Sequence, residues 1–165
     1  MAKAYKVQVC KEYFIFSAGH FITYDGHKCE SLHGHNYRVL VCIEGDLDEN
    51  WYVVDFGVLK KTVRELTEEL DHKVMLPLDN PLIKLEKTES SITARYKDRI
   101  YMLPVQDVVL LPIPNTTVEM IAEYLCGRIR IELGTIVKTK LHAFEVEVEE
   151  CVGQSAIYRE TMEDV

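Results

Sequence analysis

This sequence of 165 residues lacks the features by which membrane, secreted and multidomain proteins are usually recognised. It has no apolar run of roughly eighteen residues, the length that a membrane-spanning helix requires. Its first residues alternate in polarity and do not form the apolar centre of a signal peptide. Repeats, low-complexity stretches and Gly/Ser linkers are absent as well. We therefore expect a single domain over residues 1–165 and a cytoplasmic location.

Positive charge is also scarce, since 19 Lys and Arg residues stand against 27 Asp and Glu residues and the formal net charge is −8. Binding to nucleic acid or to an anionic membrane surface requires clustered positive charge, so we expect neither partner. The five cysteines are an odd number and form no C-x-x-C pair. In a reducing compartment most of them should be small apolar core residues, and at most one or two should take part in chemistry.

Hydrophobic periodicity predicts four strands and two helices. Alternation of apolar and polar residues predicts strands over residues 4–17, 36–45, 137–150 and 155–159. Helical spacing of apolar residues predicts one helix over 56–70, with its N-cap at Asp55, and another over 116–133, which begins at Thr116 or Thr117. Two helices on one face of a four-stranded antiparallel sheet form an α+β fold.

The segment between the two helices, residues 81–113, is predicted to be a β-rich insertion. Its short β-like stretches are broken at Lys97-Asp98 and at Pro104. The sheet face opposite the helices also alternates with apolar residues, and nothing in one chain is left to cover it. This pattern predicts that other copies of the chain bury that face.

Three of the six histidines are placed as metal ligands would be. His33 and His35 lie two residues apart at the start of the second predicted strand, so their side chains face the same way. His20 follows the first strand, and pairing of the two strands as a hairpin brings it close. Three imidazoles suit Zn²⁺ and leave its fourth position open, as in catalytic zinc sites. His27 and His142 are interpreted as residues without a ligand role.

Other polar residues near this group have two interpretations each. Cys29, four residues before His33, is either a reactive thiolate or a fourth ligand that closes a structural zinc site. Glu30 is either a base or a solvated carboxylate. Asp71-His72 ends the first helix, where it either activates a thiol or a substrate hydroxyl or, as its composition favours, forms an ordinary polar helix end.

Two further elements are candidates for ligand binding. Glu150 is in phase with the apolar Val146 and Val148, and a carboxylate there needs hydrogen-bond donors such as the paired N–H groups of a ligand. The start of the second helix, around Thr117 and Glu119, offers hydroxyl and backbone N–H groups, with helix capping as the alternative.

Six segments of the sequence resemble the 6-pyruvoyl-tetrahydropterin synthase / 6-carboxytetrahydropterin synthase family. They are F-S-A-G-H (16–20), C-E-S-L-H-G-H-N-Y (29–37), V-D-F (54–56), L-D-H (70–72), N-T-T-V-E (115–119) and V-E-V-E-E (146–150). The C-x-x-x-H-G-H-N element is the most specific of these. The sequence departs from the family pattern at Thr116, where proline is usual, and at Met120, where asparagine is common.

This resemblance implies the tunnelling fold, with trimeric β-barrels that stack in pairs into a hexamer. It implies Zn²⁺ as the metal and 7,8-dihydroneopterin triphosphate as the substrate. The implied site residues are His20, His33 and His35 as zinc ligands, Cys29 as general base supported by Asp71 and His72 of a neighbouring subunit, and Glu150 as pterin acceptor with Thr117 and Glu119 nearby.

The resemblance leaves the product open between two reactions. The spacing of four residues between Cys29 and His33 resembles the spacing in one group of family members. These members release acetaldehyde and triphosphate and form 6-carboxytetrahydropterin for queuosine-type deazapurine synthesis. The alternative is elimination of triphosphate to a 6-pyruvoyl pterin. Glu30 beside Cys29 leaves other pterin chemistry open. A further hypothesis is a non-catalytic, zinc-stabilised oligomeric protein in which Cys29 is the fourth ligand.

Overall fold

The computed structural model describes residues 5–162 and shows a curled mixed sheet with two helices packed on one face. The strands are β1 (Tyr5–His20), β2 (Thr23–Tyr24), β3 (Lys28–Cys29), β4 (His33–Gly45), β5 (Lys73–Pro77), β6 (Lys84–Lys87), β7 (Ser91–Tyr96), β8 (Arg99–Pro104), β9 (Val108–Leu111), β10 (Leu141–Cys151) and β11 (Gln154–Thr161). The helices are α1 (Phe56–Leu70) and α2 (Val118–Gly134). Neither is long and apolar enough to cross a membrane. A short 3-10 helix covers Val105–Asp107 between β8 and β9.

The predicted helices are both present, with Asp55 as the N-cap of α1 and Thr117 as the N-cap of α2. The four predicted strands correspond to β1, β4, β10 and β11, although residue 4, where the first was predicted to begin, lies outside the described residues. The main apolar core lies between these strands and the two helices, and it includes Phe16, Val41 and Leu125.

The main sheet has six strands in the order β11-β10-β4-β1-β5-β9, so the predicted four-stranded sheet was wrong. Both additional strands run parallel to a neighbour, with Gly19 opposite Val74 and Val74 opposite Val108. Parallel pairing joins stretches that are far apart in sequence, and hydrophobic periodicity does not show which stretches pair. For this reason β9 was assigned to the insertion and β5 was not predicted.

The strands β6, β7 and β8 form a separate antiparallel sheet, which we call the meander (residues 84–104). Its strands agree with the β-structure predicted for the insertion. The meander packs on a second, smaller apolar core, whose buried members are Phe21, Leu76, Ile83, Ile92 and Ala94.

A register shift in the β1–β4 hairpin decides which way His20 faces. The shift lies between Cys10 and Ile15 and moves the buried side chains of β1 from odd positions, such as Val9, to even positions. His20 therefore faces the core side of the sheet, and it pairs in register with His33. Without the shift, His20 would face away from the other two histidines.

The sheet face opposite the helices is more charged than the sequence analysis predicted. Arg159 on β11 pairs with Glu44 on β4 at 2.9 Å and with Glu145 on β10 at 3.2 Å. Lys6 on β1 also pairs with Glu145, at 2.9 Å. Apolar side chains such as Ile15 are exposed there as well. Burial of this face by other copies of the chain stays a prediction.

Candidate metal centre

Three histidines meet at the end of the β1–β4 hairpin. One ring nitrogen from each of His20, His33 and His35 lies within 4.8 Å of the others, and we call these residues the histidine group. His20 is buried, His35 is half-buried and His33 is exposed. The structure thus brings together the three residues that the sequence indicated as metal ligands.

Backbone carbonyls fix the orientation of two of the rings. The Nδ1 atom of His20 lies 2.8 Å from the carbonyl oxygen of Thr116, and Nδ1 of His33 lies 2.8 Å from that of Ser31. Because a carbonyl can only accept a hydrogen bond, each Nδ1 carries the proton and each Nε2 keeps a free lone pair. Ligating histidines commonly have this second contact.

The free nitrogens of the histidine group fit a metal ion. The Nε2 atoms of His20 and His35 are buried and have no hydrogen-bond partner within residues 5–162. Burial lowers the pKa of His20, which keeps its imidazole neutral and able to bind a cation. Buried polar atoms are rarely left without partners, so a cation at these nitrogens accounts for the arrangement.

The carboxylate of Glu150 lies beside the same nitrogens. Its Oε1 atom is 3.4 Å from Nε2 of His20 and 3.5 Å from Nε2 of His35. The strand β10 places it there because Glu150 shares the core side of the sheet with the buried Val148. Glu150 is half-buried, so a ligand that enters the site can reach it.

Cys29 is the last residue of β3, and Glu30, which follows it, approaches the histidine group. The Oε2 atom of Glu30 lies 3.9 Å from Nε2 of His33. The Cys29 thiol is directed to the carbonyl oxygen of Glu30 at 3.5 Å, and burial raises its pKa although nearby Arg99 opposes this effect. Within residues 5–162 the sulfur does not join the histidine group, so the structure does not form the four-ligand site that was one of the alternatives.

Asp71 and His72 form a separate pair at the end of α1, with Oδ2 of Asp71 2.8 Å from Nδ1 of His72. Asp71 also accepts a hydrogen bond from the backbone N–H of Ser17 at 2.7 Å. Burial alone would raise the pKa of Asp71, but the hydrogen bonds from Ser17 and His72 lower it overall. His72 is 83% exposed and lines an open cleft of about 550 Å³. The described contacts do not join this pair to Cys29 or Glu30.

The two candidate ligand-binding residues at the start of α2, Thr117 and Glu119, differ in their contacts. Thr117 is the N-cap, and its hydroxyl accepts a hydrogen bond from the backbone N–H of Met120. Glu119 is exposed in the first turn of the helix. Capping therefore accounts for Thr117 without a ligand.

Sequence reasoning missed three residues that shape the site: Thr116, Ser31 and Arg99. Thr116 and Ser31 act through backbone carbonyls, which every residue type has, so their identity gives no signal. Thr116 was noted only as a possible helix start and for its place in a family segment. Arg99 lies 70 residues after Cys29, yet it donates a hydrogen bond to the Cys29 carbonyl oxygen at 3.2 Å.

Tyr37 has a buried hydroxyl without a hydrogen-bond partner within residues 5–162. Burial raises its pKa, so it stays protonated. We expect Tyr37→Phe to leave the thermal stability of the metal-free chain unchanged or higher, because no hydrogen bond is lost.

The control for Tyr37→Phe is Thr116→Val, which removes a buried hydroxyl that donates a hydrogen bond to the carbonyl oxygen of Phe21 at 3.1 Å. This variant should lose about 1–3 kcal/mol in the free energy of unfolding. Equal losses in both variants would contradict the expectation.

Comparison with known proteins places these residues in a family context. Residues 8–161 match the family described as 6-pyruvoyl tetrahydropterin synthase. The chain is 37% identical over 150 residues to a protein from Methanocaldococcus jannaschii that is provisionally named 6-carboxy-5,6,7,8-tetrahydropterin synthase, with 90% of this chain and 91% of that protein covered. It is 28% identical over 130 residues to the 6-carboxy-5,6,7,8-tetrahydropterin synthase of Haemophilus influenzae, with 74% and 82% covered.

Solved structures show the same fold. The 6-pyruvoyl tetrahydropterin synthase of Plasmodium falciparum is 31% identical and superimposes with a TM-score of 0.90, over 98% of this chain and 100% of that one. The enzyme of Plasmodium vivax has the same TM-score and coverage at 28% identity. That structure is of a catalytic residue mutant in which glutamate is replaced by alanine.

Proposed function

Because the chain belongs to the 6-pyruvoyl tetrahydropterin synthase family, we propose that it is a zinc-dependent lyase that acts on 7,8-dihydroneopterin triphosphate. The observation that carries the proposal is the histidine group, with its buried and unpartnered Nε2 atoms. The proposed reaction consumes water and yields 6-carboxy-5,6,7,8-tetrahydropterin, acetaldehyde and triphosphate. The names of the relatives from M. jannaschii and H. influenzae favour this product.

The histidine group would hold Zn²⁺ through the three Nε2 atoms. Bound zinc makes the hydroxyl groups of the substrate side chain and the adjacent C–H bonds more acidic. The carbonyls of Thr116 and Ser31 keep the rings of His20 and His33 in the tautomer that binding requires.

The proposed proton acceptors of the reaction are two neighbouring residues at the end of β3. We propose that Cys29 and Glu30 share this role, taking a proton from the substrate side chain at the thiolate sulfur or at a carboxylate oxygen. The Oε2 atom of Glu30 lies 3.9 Å from Nε2 of His33, which is a proposed zinc ligand. The catalytic glutamate of the P. vivax enzyme supports a carboxylate in this role.

The pterin ring of the substrate requires an acceptor for its amino and ring N–H groups. We propose Glu150 for this role, because a carboxylate accepts two parallel N–H bonds and Glu150 opens onto the histidine group. Thr117 and Glu119 are proposed to lie beside the bound ring. Glu150→Gln separates this role from metal ligation, because a pterin acceptor can be replaced without loss of zinc.

The proposed assembly is a hexamer of two trimeric β-barrels, in which Asp71 and His72 support the base of a neighbouring subunit. The exposure of His72, and the lack of a described contact between it and Cys29 or Glu30 within residues 5–162, favour action on another copy.

Mixed oligomers test whether His72 acts in trans. His72→Ala and His35→Ala should each be nearly inactive alone, since one lacks the supporting imidazole and the other lacks a zinc ligand. When the two variants are refolded together, about one quarter of the wild-type activity should return, because half of the intact zinc sites meet an intact His72 in random mixtures. Action within one chain predicts that no activity returns.

The product decides between the two reactions of the family. Zinc-loaded chain is incubated with 7,8-dihydroneopterin triphosphate, acetaldehyde is trapped and the pterins are identified by mass spectrometry. Acetaldehyde with 6-carboxytetrahydropterin supports the proposal. A pyruvoyl pterin without acetaldehyde would support the second candidate, 6-pyruvoyl-tetrahydropterin synthesis, which the structural similarity to the Plasmodium enzymes favours. The absence of turnover with zinc bound contradicts both and favours a non-catalytic zinc protein.

A further inference from the structure

The meander holds the segment that carries both proposed proton acceptors. Side chains at the turn between β7 and β8 and on β8 form hydrogen bonds with the backbone of residues 27–32. The contacts are Tyr96 OH to the His27 carbonyl, Lys97 Nζ to the His27 carbonyl at 2.9 Å, Arg99 Nη1 to the carbonyls of Cys29 at 3.2 Å and Glu30, and the Leu32 N–H to Tyr101 OH at 3.3 Å. The insertion is therefore joined to this segment by both of its long strands.

Apolar packing joins the same two elements. Cys29 and Leu32 pack against the second apolar core, to which Ile92 and Ala94 of the meander belong. Neither residue belongs to the main core between the sheet and the helices. The position of residues 29–32 thus depends on the meander more than on the helices.

Arg99 has the most direct contact with the proposed base residues. One of its guanidinium nitrogens donates to two consecutive carbonyls, and this orients the two peptide planes Cys29–Glu30 and Glu30–Ser31. Arg99 is half-buried, and no ion pair with a carboxylate of residues 5–162 competes for it. A charged donor forms a stronger hydrogen bond to a carbonyl than a neutral one does.

We propose that Arg99 is a positioning residue for the proposed lyase reaction. By holding the two carbonyls, Arg99 fixes the directions in which the side chains of Cys29 and Glu30 leave the backbone toward the histidine group. This inference rests on the proposed function for its kinetic part alone. The proposal gives a role to the β-rich insertion.

The experiment compares Arg99→Ala and Arg99→Lys with a matched control, Arg95→Ala, in the full zinc-loaded chain. Arg95 is an exposed arginine of the same meander without a contact to residues 27–32. Arg99→Ala should raise amide hydrogen exchange at residues 29–32 and the rate at which the Cys29 thiolate is alkylated by iodoacetamide, each by at least about tenfold. The alkylation rate is taken per ionised thiol, because loss of the guanidinium also raises the pKa of Cys29. It should lower kcat between about 10- and 100-fold while KM and the zinc content stay constant. Arg99→Lys should fall between, and Arg95→Ala should match the wild type.

Two results would overturn the proposal. Unchanged hydrogen exchange and alkylation in a folded Arg99→Ala chain would show that the segment keeps its position without the guanidinium. A raised KM with constant kcat would show that Arg99 contacts the substrate, with its phosphate groups as the natural partner. If Arg99→Ala unfolds, Tyr101→Phe replaces it and should raise exchange at the Leu32 amide, because it removes one acceptor; unchanged exchange there overturns the proposal.

Failure of the proposed function would be visible separately. A wild-type chain without turnover of the pterin triphosphate contradicts the lyase proposal, whereas exchange and alkylation still decide whether Arg99 positions residues 29–32.

Discussion

The His35→Ala substitution is expected to lower the rate of triphosphate release by at least about 10³-fold, because two imidazoles do not retain Zn²⁺ in a catalytic site. His35 is suited to this test because its Nε2 atom is buried without a hydrogen-bond partner within residues 5–162, so the substitution breaks no hydrogen bond of that atom. The zinc content of the purified chain should fall from one ion per chain toward zero, as measured by elemental analysis.

The matched control for His35→Ala is His142→Ala. His142 also lies on a strand next to an acidic residue, with its Nε2 atom 2.9 Å from Oδ1 of Asp46, but it is remote from the histidine group. Zinc content and turnover should both stay at the wild-type values in this control. A His35→Ala chain that keeps a full zinc ion and normal turnover would show that the histidine group is not the metal centre.

Simultaneous substitution of Cys29 by Ser and Glu30 by Gln is expected to have the second large effect. The double variant should lose about 10²- to 10⁴-fold in kcat, the range that proton transfer by a positioned group contributes. Each single variant should lose much less, because the neighbouring residue can still accept the proton. Steady-state kinetics of the wild type, both single variants and the double variant give the coupling between the two residues.

This comparison is informative because neither residue belongs to the histidine group in the described chain, so the zinc content of all four proteins should be equal. If Cys29→Ser alone abolishes turnover, the base is the thiol alone, as the family resemblance implied. If the double variant keeps normal turnover, neither residue is the base. Loss of zinc in Cys29→Ser would instead support the hypothesis that Cys29 is a structural ligand.

The part of the candidate site that depends on short sequence patterns could be predicted from the sequence. The H-x-H pattern of His33 and His35 and the position of His20 at a strand end were sufficient to predict the histidine group. The prediction depended on the register of the β1–β4 hairpin. The shift between Cys10 and Ile15 turns His20 toward the other two histidines, and strict alternation of apolar and polar residues does not reveal this shift. A bulge has no fixed residue type, so no residue of β1 indicated the shift in advance.

Long-range contacts account for what the sequence did not predict. The parallel strands β5 and β9 join residues more than 30 positions apart, as Val74 and Val108 illustrate. The contact of Arg99 with the Cys29 carbonyl joins residues that are 70 positions apart. Opposite charges such as Lys6 and Glu145 meet only because their strands lie on either side of β4. Local periodicity carries no information about such pairings.

The most direct test of the account is a zinc titration of triphosphate release. Metal-free chain receives increasing amounts of Zn²⁺, and the initial rate of triphosphate release from 7,8-dihydroneopterin triphosphate is measured at each ratio. The account predicts a rate that rises linearly to one zinc per chain and is constant above that ratio, since the histidine group offers one site. A rate that is independent of zinc, or one bound zinc per chain without triphosphate release, would contradict it.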